Sequence, residues 1–156
     1  MKNFNRELLK KKSLHDQVCS WLAIRHDQVA FLLNSKDFIP VVFELELHEG
    51  DFVDMIAYDK VIPYGGRKEN DEKITCFVVE VKSDKGDHEM LGQLKKSVNA
   101  MKMRGSSTRL FDEVRGVAVA DNYTPSGLKL LKDEGYDVIY WCQDDDMIGF
   151  SKRKVL

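Results

Sequence analysis

Residues 74–82 read Ile74-Thr75-Cys76-Phe77-Val78-Val79-Glu80-Val81-Lys82. From Ile74 to Val81 the run is nearly continuous in apolar and β-branched side chains. Such a run reads as a strand covered on both faces, central in its sheet. It ends in two charges. Strand period two puts Glu80 and Lys82 on the same face, one pleat apart. A carboxylate and an ammonium at the end of a buried strand are costly unless something uses them.

Upstream of this strand the period is also two. From Val41, Phe43, Leu45 and Leu47 fall on one face and Glu44, Glu46 and His48 on the other. Glu49-Gly50-Asp51 is a turn and Phe52 to Ile62 a second strand, so the pair reads as a hairpin. The polar stretch Pro63 to Lys73, with Gly65-Gly66, is a connecting loop. The first 35 residues carry Leu8, Leu9, Val18, Trp21, Leu22, Val29, Leu32 and Leu33 at helical spacings, with a break between Ala23 and Asp27. Pro40 marks the change of period.

Downstream the signals alternate. Asp87 to Arg104 reads as a helix with Asp87 as N-cap and Gly105 at C′. Val114 to Ala120 is a short apolar strand. A helix starts at Thr124-Pro125 and is ended by Gly135. Asp137 to Cys142 is a last core strand, and Met147 to Phe150 an edge strand reached through Asp144-Asp145-Asp146. The order is helix, three strands, helix, strand, helix, strand. The class is α/β, with a mixed sheet flanked by helices. No repeat or long linker divides residues 1–156, so one domain is expected.

Composition narrows the function. The 156 residues are 43% hydrophobic, enough for a core, and 24 Lys plus Arg stand against 26 Asp plus Glu. A net charge of −2 excludes a histone-like coat and leaves room for a local basic surface. No stretch approaches the roughly 18 apolar residues of a membrane span. No apolar h-region follows the basic N-terminus. Cys19, Cys76 and Cys142 are far apart, with no CxxC, and read as buried free thiols. These features point to a cytoplasmic protein.

The chemistry gathers around Glu80 and Lys82. Asp54 sits in Phe52-Val53-Asp54-Met55-Ile56-Ala57-Tyr58, a second acid in an apolar setting. If the two strands pair, Asp54 lies beside Glu80, and adjacent carboxylates invite a divalent cation. Hard oxygen ligands suit Mg²⁺, with Mn²⁺ as a substitute. Such a centre fits phosphodiester hydrolysis: the metal polarises a phosphoryl oxygen and acidifies a water, and Lys82 orients that water. Glu-x-Lys alone arises by chance in roughly every second chain of this length, given average residue usage. A second copy, Asp71-Glu72-Lys73, lies in a polar loop and lacks the buried strand.

Asp54, then Glu80-Val81-Lys82, then Gln93 in the following helix resemble the PD-(D/E)xK nuclease superfamily. The element order through Val119 is similar to its three-layer, restriction-endonuclease-like αβββαβ core, with an extra C-terminal helix and strand. The resemblance implies a Mg-dependent nuclease acting on DNA. It makes Asp54, Glu80 and the Val81 backbone carbonyl metal ligands, Lys82 the catalytic lysine, and Gln93 a supporting residue from the helix. Glu7, the only glutamate of the first helical segment, corresponds to an accessory acid found in many members. Ser83 and Lys85 fall near the scissile phosphate. Val53 stands where the superfamily's name has Pro, which leaves the ligand in place.

Two alternatives belong with this reading. One is a catalytically inactive nucleic-acid-binding or protein-interaction module on the same fold. The other is a dimeric structure-specific resolvase of the Holliday-junction type. One site per chain favours a homodimer for cutting two strands. Lys95, Lys96, Lys152 and Arg153 are candidate phosphate contacts. The strand face of Glu44, Glu46 and His48 reads as solvated or as the site's mouth.

Overall fold

The computed structural model describes residues 6–63, 65–67 and 72–154. Tyr64 and residues 68–71, part of the expected 63–73 loop, lie outside the described residues. Three helices come first: α1 (Arg6–Lys10), α2 (Leu14–Ile24) and α3 (His26–Leu32). Next are β1 (Ile39–His48), β2 (Asp51–Tyr58), β3 (Thr75–Val81) and a two-residue β4 (Lys85–Gly86). Then come α4 (His88–Thr108), β5 (Glu113–Ala120), β6 (Asn122–Tyr123), α5 (Pro125–Asp133), β7 (Asp137–Asp144) and β8 (Met147–Ser151).

A six-stranded mixed sheet runs in the order β1-β2-β3-β5-β7-β8. The central trio β3, β5 and β7 is parallel, and β1, β2 and β8 are antiparallel to their neighbours. The strand of residues 74–81 is thus an interior one, as its unbroken apolar run requires. Its odd positions Phe77, Val79 and Val81 pack with Val18, Leu22, Val29 and Leu33 of the first helices. Its even positions Cys76 and Val78 pack with Met90, Leu94, Val98 and Met101 of α4. Two helical layers therefore sandwich the sheet, and Glu80 and Lys82 share parity with the α4 face. Each Leu or Met fully buried from α4 is worth about 1.5–3 kcal/mol.

Local chemistry sets the helix starts. The Ser13 side chain accepts from Asp16 N, Asp87 from Glu89 N and Met90 N, and Thr124 from Gly127 N. Arg25 interrupts α2 and α3 at the expected break.

Four expectations are corrected. Helix α4 runs past Gly105 to Thr108 and is capped by Arg109 in the left-handed region. Gly105 is buried inside α4 because a Cβ there would meet the Phe111 ring at 2.4 Å. Strand β2 ends at Tyr58 rather than Ile62. Cys142 is exposed, because β7 extends beyond the helical cover; Cys19 and Cys76 are buried.

The face assignment of β1 also changes. Val42, Leu45 and Leu47 pack toward the α4-side core, whereas Phe43 is 46% exposed. The phase breaks at Glu44, whose φ of +52° is rare for a residue with a Cβ. Glu44 lies between the Phe43↔Met55 and Leu45↔Val53 pairs, across from Asp54. The partner strand breaks phase at the same point: Met55 and Ala57 face the first helices, but Val53 packs on the α4 side.

Among the described residues no helix is long and apolar enough to cross a membrane.

Candidate active site

The break at Asp54 builds the site. Strand β2 pairs with β3 from Tyr58↔Cys76 to Met55↔Val79 and no further. Beyond that point the Val81 N–H donates to the Asp54 carboxylate, Oδ2, at 2.7 Å. A side chain thus replaces the ladder, and β2 turns away from β3 where Asp54 and Glu80 meet. In a strand, the N–H and C=O of one residue point to the same edge. The Lys82 N–H donates to Val119 O on the β5 side, so the Val81 carbonyl faces Asp54.

Glu80 is 6% exposed, one of two buried polar residues among those described. Ser97 of α4, the other, and Asp54 are the polar side chains beside its carboxyl. Glu80 Oε1 is buried with no partner among the described residues. Burial, and then the Asp54 charge, push the Glu80 carboxyl far above the ordinary 4.5, against the opposing pull of Lys82.

The other Asp54 oxygen, Oδ1, lies 3.1 Å from His15 Nε2, with 18% of the Asp54 side chain exposed. His15 Nδ1 lies 3.3 Å from Asp16 Oδ1. The bond to Asp54 raises His15 from 6.5 to about 9 despite burial. A cavity of about 330 Å³ opens beside this group, lined by Lys12, His15, Cys19, Phe43, Glu44 and Asp54 among others.

Lys82 follows the last residue of β3 and is half-buried. Its backbone is pinned twice: its N–H to Val119 O and its carbonyl by Trp141 Nε1 at 2.9 Å. The loop behind it, Ser83 to Asp87, is held by Asp121 N to Asp84 O and by pairing of β4 with β6. Ser83 and Lys85 are exposed on that loop.

Asp54, Glu80, Val81 and Lys82 are therefore brought together as the sequence reading expected. Gln93 is exposed one turn before Ser97, and it is Ser97 that lies beside Glu80. Gln93 and Ser97 line a small cavity under the β1–β2 turn with His48 and Phe52. Glu7 is exposed, ion-paired with Lys10, and not among the residues lining the cavity beside Asp54. Lys95 pairs with Glu134 and Lys96 with Asp51. Lys152 and Arg153 are exposed just past β8.

Sequence reasoning missed His15 and Ser97. Both had a signal. His15 is at i−3, i−4 and i−7 to Val18, Cys19 and Leu22, a polar residue on a buried helical stripe. Ser97 stands on the stripe of Met90, Leu94 and Met101.

The donor set fits a hard divalent cation. Two carboxylates meet at a partly open strand end, one of them with a buried oxygen that nothing in the described chain satisfies.

Comparison with known proteins bears on the fold and the family. Two solved structures share the fold. A repair endonuclease from Pyrococcus abyssi is similar at 24% identity with a TM-score of 0.50, over 76% of this chain and 44% of its own. EndoMS in apo form is similar at 17% identity with a TM-score of 0.52, over 82% and 46%. The chain spans less than half the length of either structure. No curated protein matches it. Residues 32–142, from the end of α3 into β7, match the endonuclease NucS C-terminal domain. The chain accordingly belongs to the NucS C-terminal domain family, with a fold of the restriction-endonuclease-like PD-(D/E)xK type.

Proposed function

We propose that this chain is a metal-dependent endonuclease domain that hydrolyses DNA phosphodiester bonds. The observation that carries the reading is the buried Glu80 carboxyl, with its partnerless Oε1, set beside Asp54 and one pleat from Lys82. Membership of an endonuclease domain family supports it. Asp54, Glu80 and the Val81 carbonyl hold the cation, Mg²⁺ in the first instance and Mn²⁺ as a substitute. The bound ion supplies positive charge for a phosphoryl oxygen and lowers the pKa of water.

The protein's own groups do the rest. Ser97 flanks the Glu80 carboxyl from α4, and the Val81 N–H holds Asp54. Lys82, its backbone fixed by Val119 and Trp141, presents an ammonium to the attacking water and to the charge that builds on phosphorus-bound oxygens. Ser83 and Lys85 face solvent beyond it and are placed to meet a phosphate. Lys152 and Arg153 extend the contact along the backbone. One centre per chain cuts one strand, so a double-strand cut takes a second copy.

The deciding experiment pairs calorimetric titration of Mn²⁺ with a cleavage assay on linear, single-stranded and branched DNA. The wild type binds and cuts; Asp54→Asn does neither; Lys82→Ala binds metal and does not cut. Cleavage by Lys82→Ala at the wild-type rate removes this assignment.

A further inference from the structure

We propose that His15 is the positioning residue of the first helical layer: it fixes the orientation of Asp54, and through Asp54 the separation of β2 and β3 at the site. The inference rests on the nuclease reading for its chemical purpose, but its geometry stands alone. His15 lies outside the residues 32–142 that match the family.

Asp54 is a short side chain on a strand that has just left its neighbour. Its Oδ2 is taken by the Val81 N–H at 2.7 Å. One contact leaves the carboxylate free to rotate about χ2, a broad torsion for Asp. The second contact, His15 Nε2 on Oδ1 at 3.1 Å, removes that freedom. His15 is itself held at its other nitrogen by Asp16 Oδ1 at 3.3 Å. Asp16 belongs to the capped first turn of α2, where its N–H donates to Ser13 Oγ. A chain of contacts therefore runs from a helix cap through Asp16 and His15 to Asp54 and on to the Val81 amide. This is the pattern by which outer groups orient a metal-ligating carboxylate. Glu7, the acid that the sequence offers from this layer, pairs with Lys10 instead.

The test has a metal-free and a metal-loaded arm. In metal-free protein, the Val81 amide resonance shifts and its hydrogen exchange quickens in His15→Ala, but not in Gln28→Ala on α3, which lines a separate cavity. In the loaded arm, Mn²⁺ affinity in His15→Ala falls about 10–100-fold, the usual cost of losing an outer-shell partner. His15→Gln, which keeps a donor at similar reach without a titrating ring, recovers most of both losses. A Val81 amide unchanged in His15→Ala overturns the inference. Should the wild type neither bind Mn²⁺ nor cut DNA, the nuclease reading falls, while the Val81 response still decides the role of His15.

Discussion

Burial holds the Glu80 carboxyl far above its ordinary 4.5, and the Asp54 charge adds to the shift. The folded chain therefore binds a proton that the unfolded chain releases, and metal-free stability falls as pH rises above 4.5. His15 acts in the same direction over a narrower window. Its bond to Asp54 raises it from 6.5 to about 9, so the stability it gives is complete below 6.5 and lost as pH climbs through 9. Thermal denaturation in EDTA should show a melting temperature that declines from pH 6.5 to 9. Glu80→Gln should melt higher than the wild type at pH 8, with a flatter pH profile, and should bind no Mn²⁺. At Lys82 the expected outcome separates chemistry from fold. Its side chain sits at a half-buried strand end, so Lys82→Ala should melt within a few degrees of the wild type. Cleavage should drop roughly 10²–10⁴-fold, the range for loss of a proton-handling group.

At the scale of elements, two devices hold the site together from outside it. Trp141 reaches from β7 to bond the Lys82 carbonyl. Trp141→Phe removes one hydrogen bond, worth about 1 kcal/mol of stability. Its cleavage rate should fall by more than that loss explains, because the Lys82 backbone loses a pin; chemical denaturation and single-turnover kinetics together check this. Gly105 lets the end of α4 lie on Phe111. Alanine has a helix propensity better by about 1 kcal/mol, but an added methyl in a filled core costs about 1–3 kcal/mol. A Cβ at 2.4 Å from the ring decides the sign, and Gly105→Ala should lower the melting temperature. The left-handed Glu44 has a comparable role in the hairpin. It turns β1 at the point where β2 turns at Asp54, so both strands change face together.

Over the whole molecule, charge is sorted by the sheet. Ser151 pairs with Tyr140, which pairs with Ala120, so β8 ends level with the strand end that carries Glu80 and Lys82. The basic triplet Lys152-Arg153-Lys154 leaves the sheet there, anchored by Lys154 on the Asp121 carbonyl and carboxylate. Lys95 and Lys96 are engaged by acids elsewhere. DNA affinity should therefore depend on Lys152 and Arg153. Replacing both with alanine should weaken binding uniformly across sequences and reduce the slope of log K against log salt by about two. Alanine at Lys95 and Lys96 should change that slope far less. Fluorescence anisotropy at several salt concentrations distinguishes the two pairs.

The central strand, its neighbours and the acid pair are legible in the residue order alone. An apolar β-branched run ending in Glu80-Val81-Lys82 has few places to go but the interior of a sheet, and the stripe of Met90, Leu94, Val98 and Met101 had to cover one of its faces. Both signals are local periodicities, readable over a dozen residues. How the acid pair is held emerges only once the chain is folded. The contact of His15 with Asp54 spans 39 positions, and that of Ser97 with Glu80 spans 17. Neither follows from period. They depend on where β2 leaves β3, and that point is set by a phase break at Glu44 and Asp54 that alternation conceals. Gly105 is the same lesson in reverse: it resembles a helix stop in the chain and is a packing contact in the fold, because Phe111 returns to it from beyond the helix end.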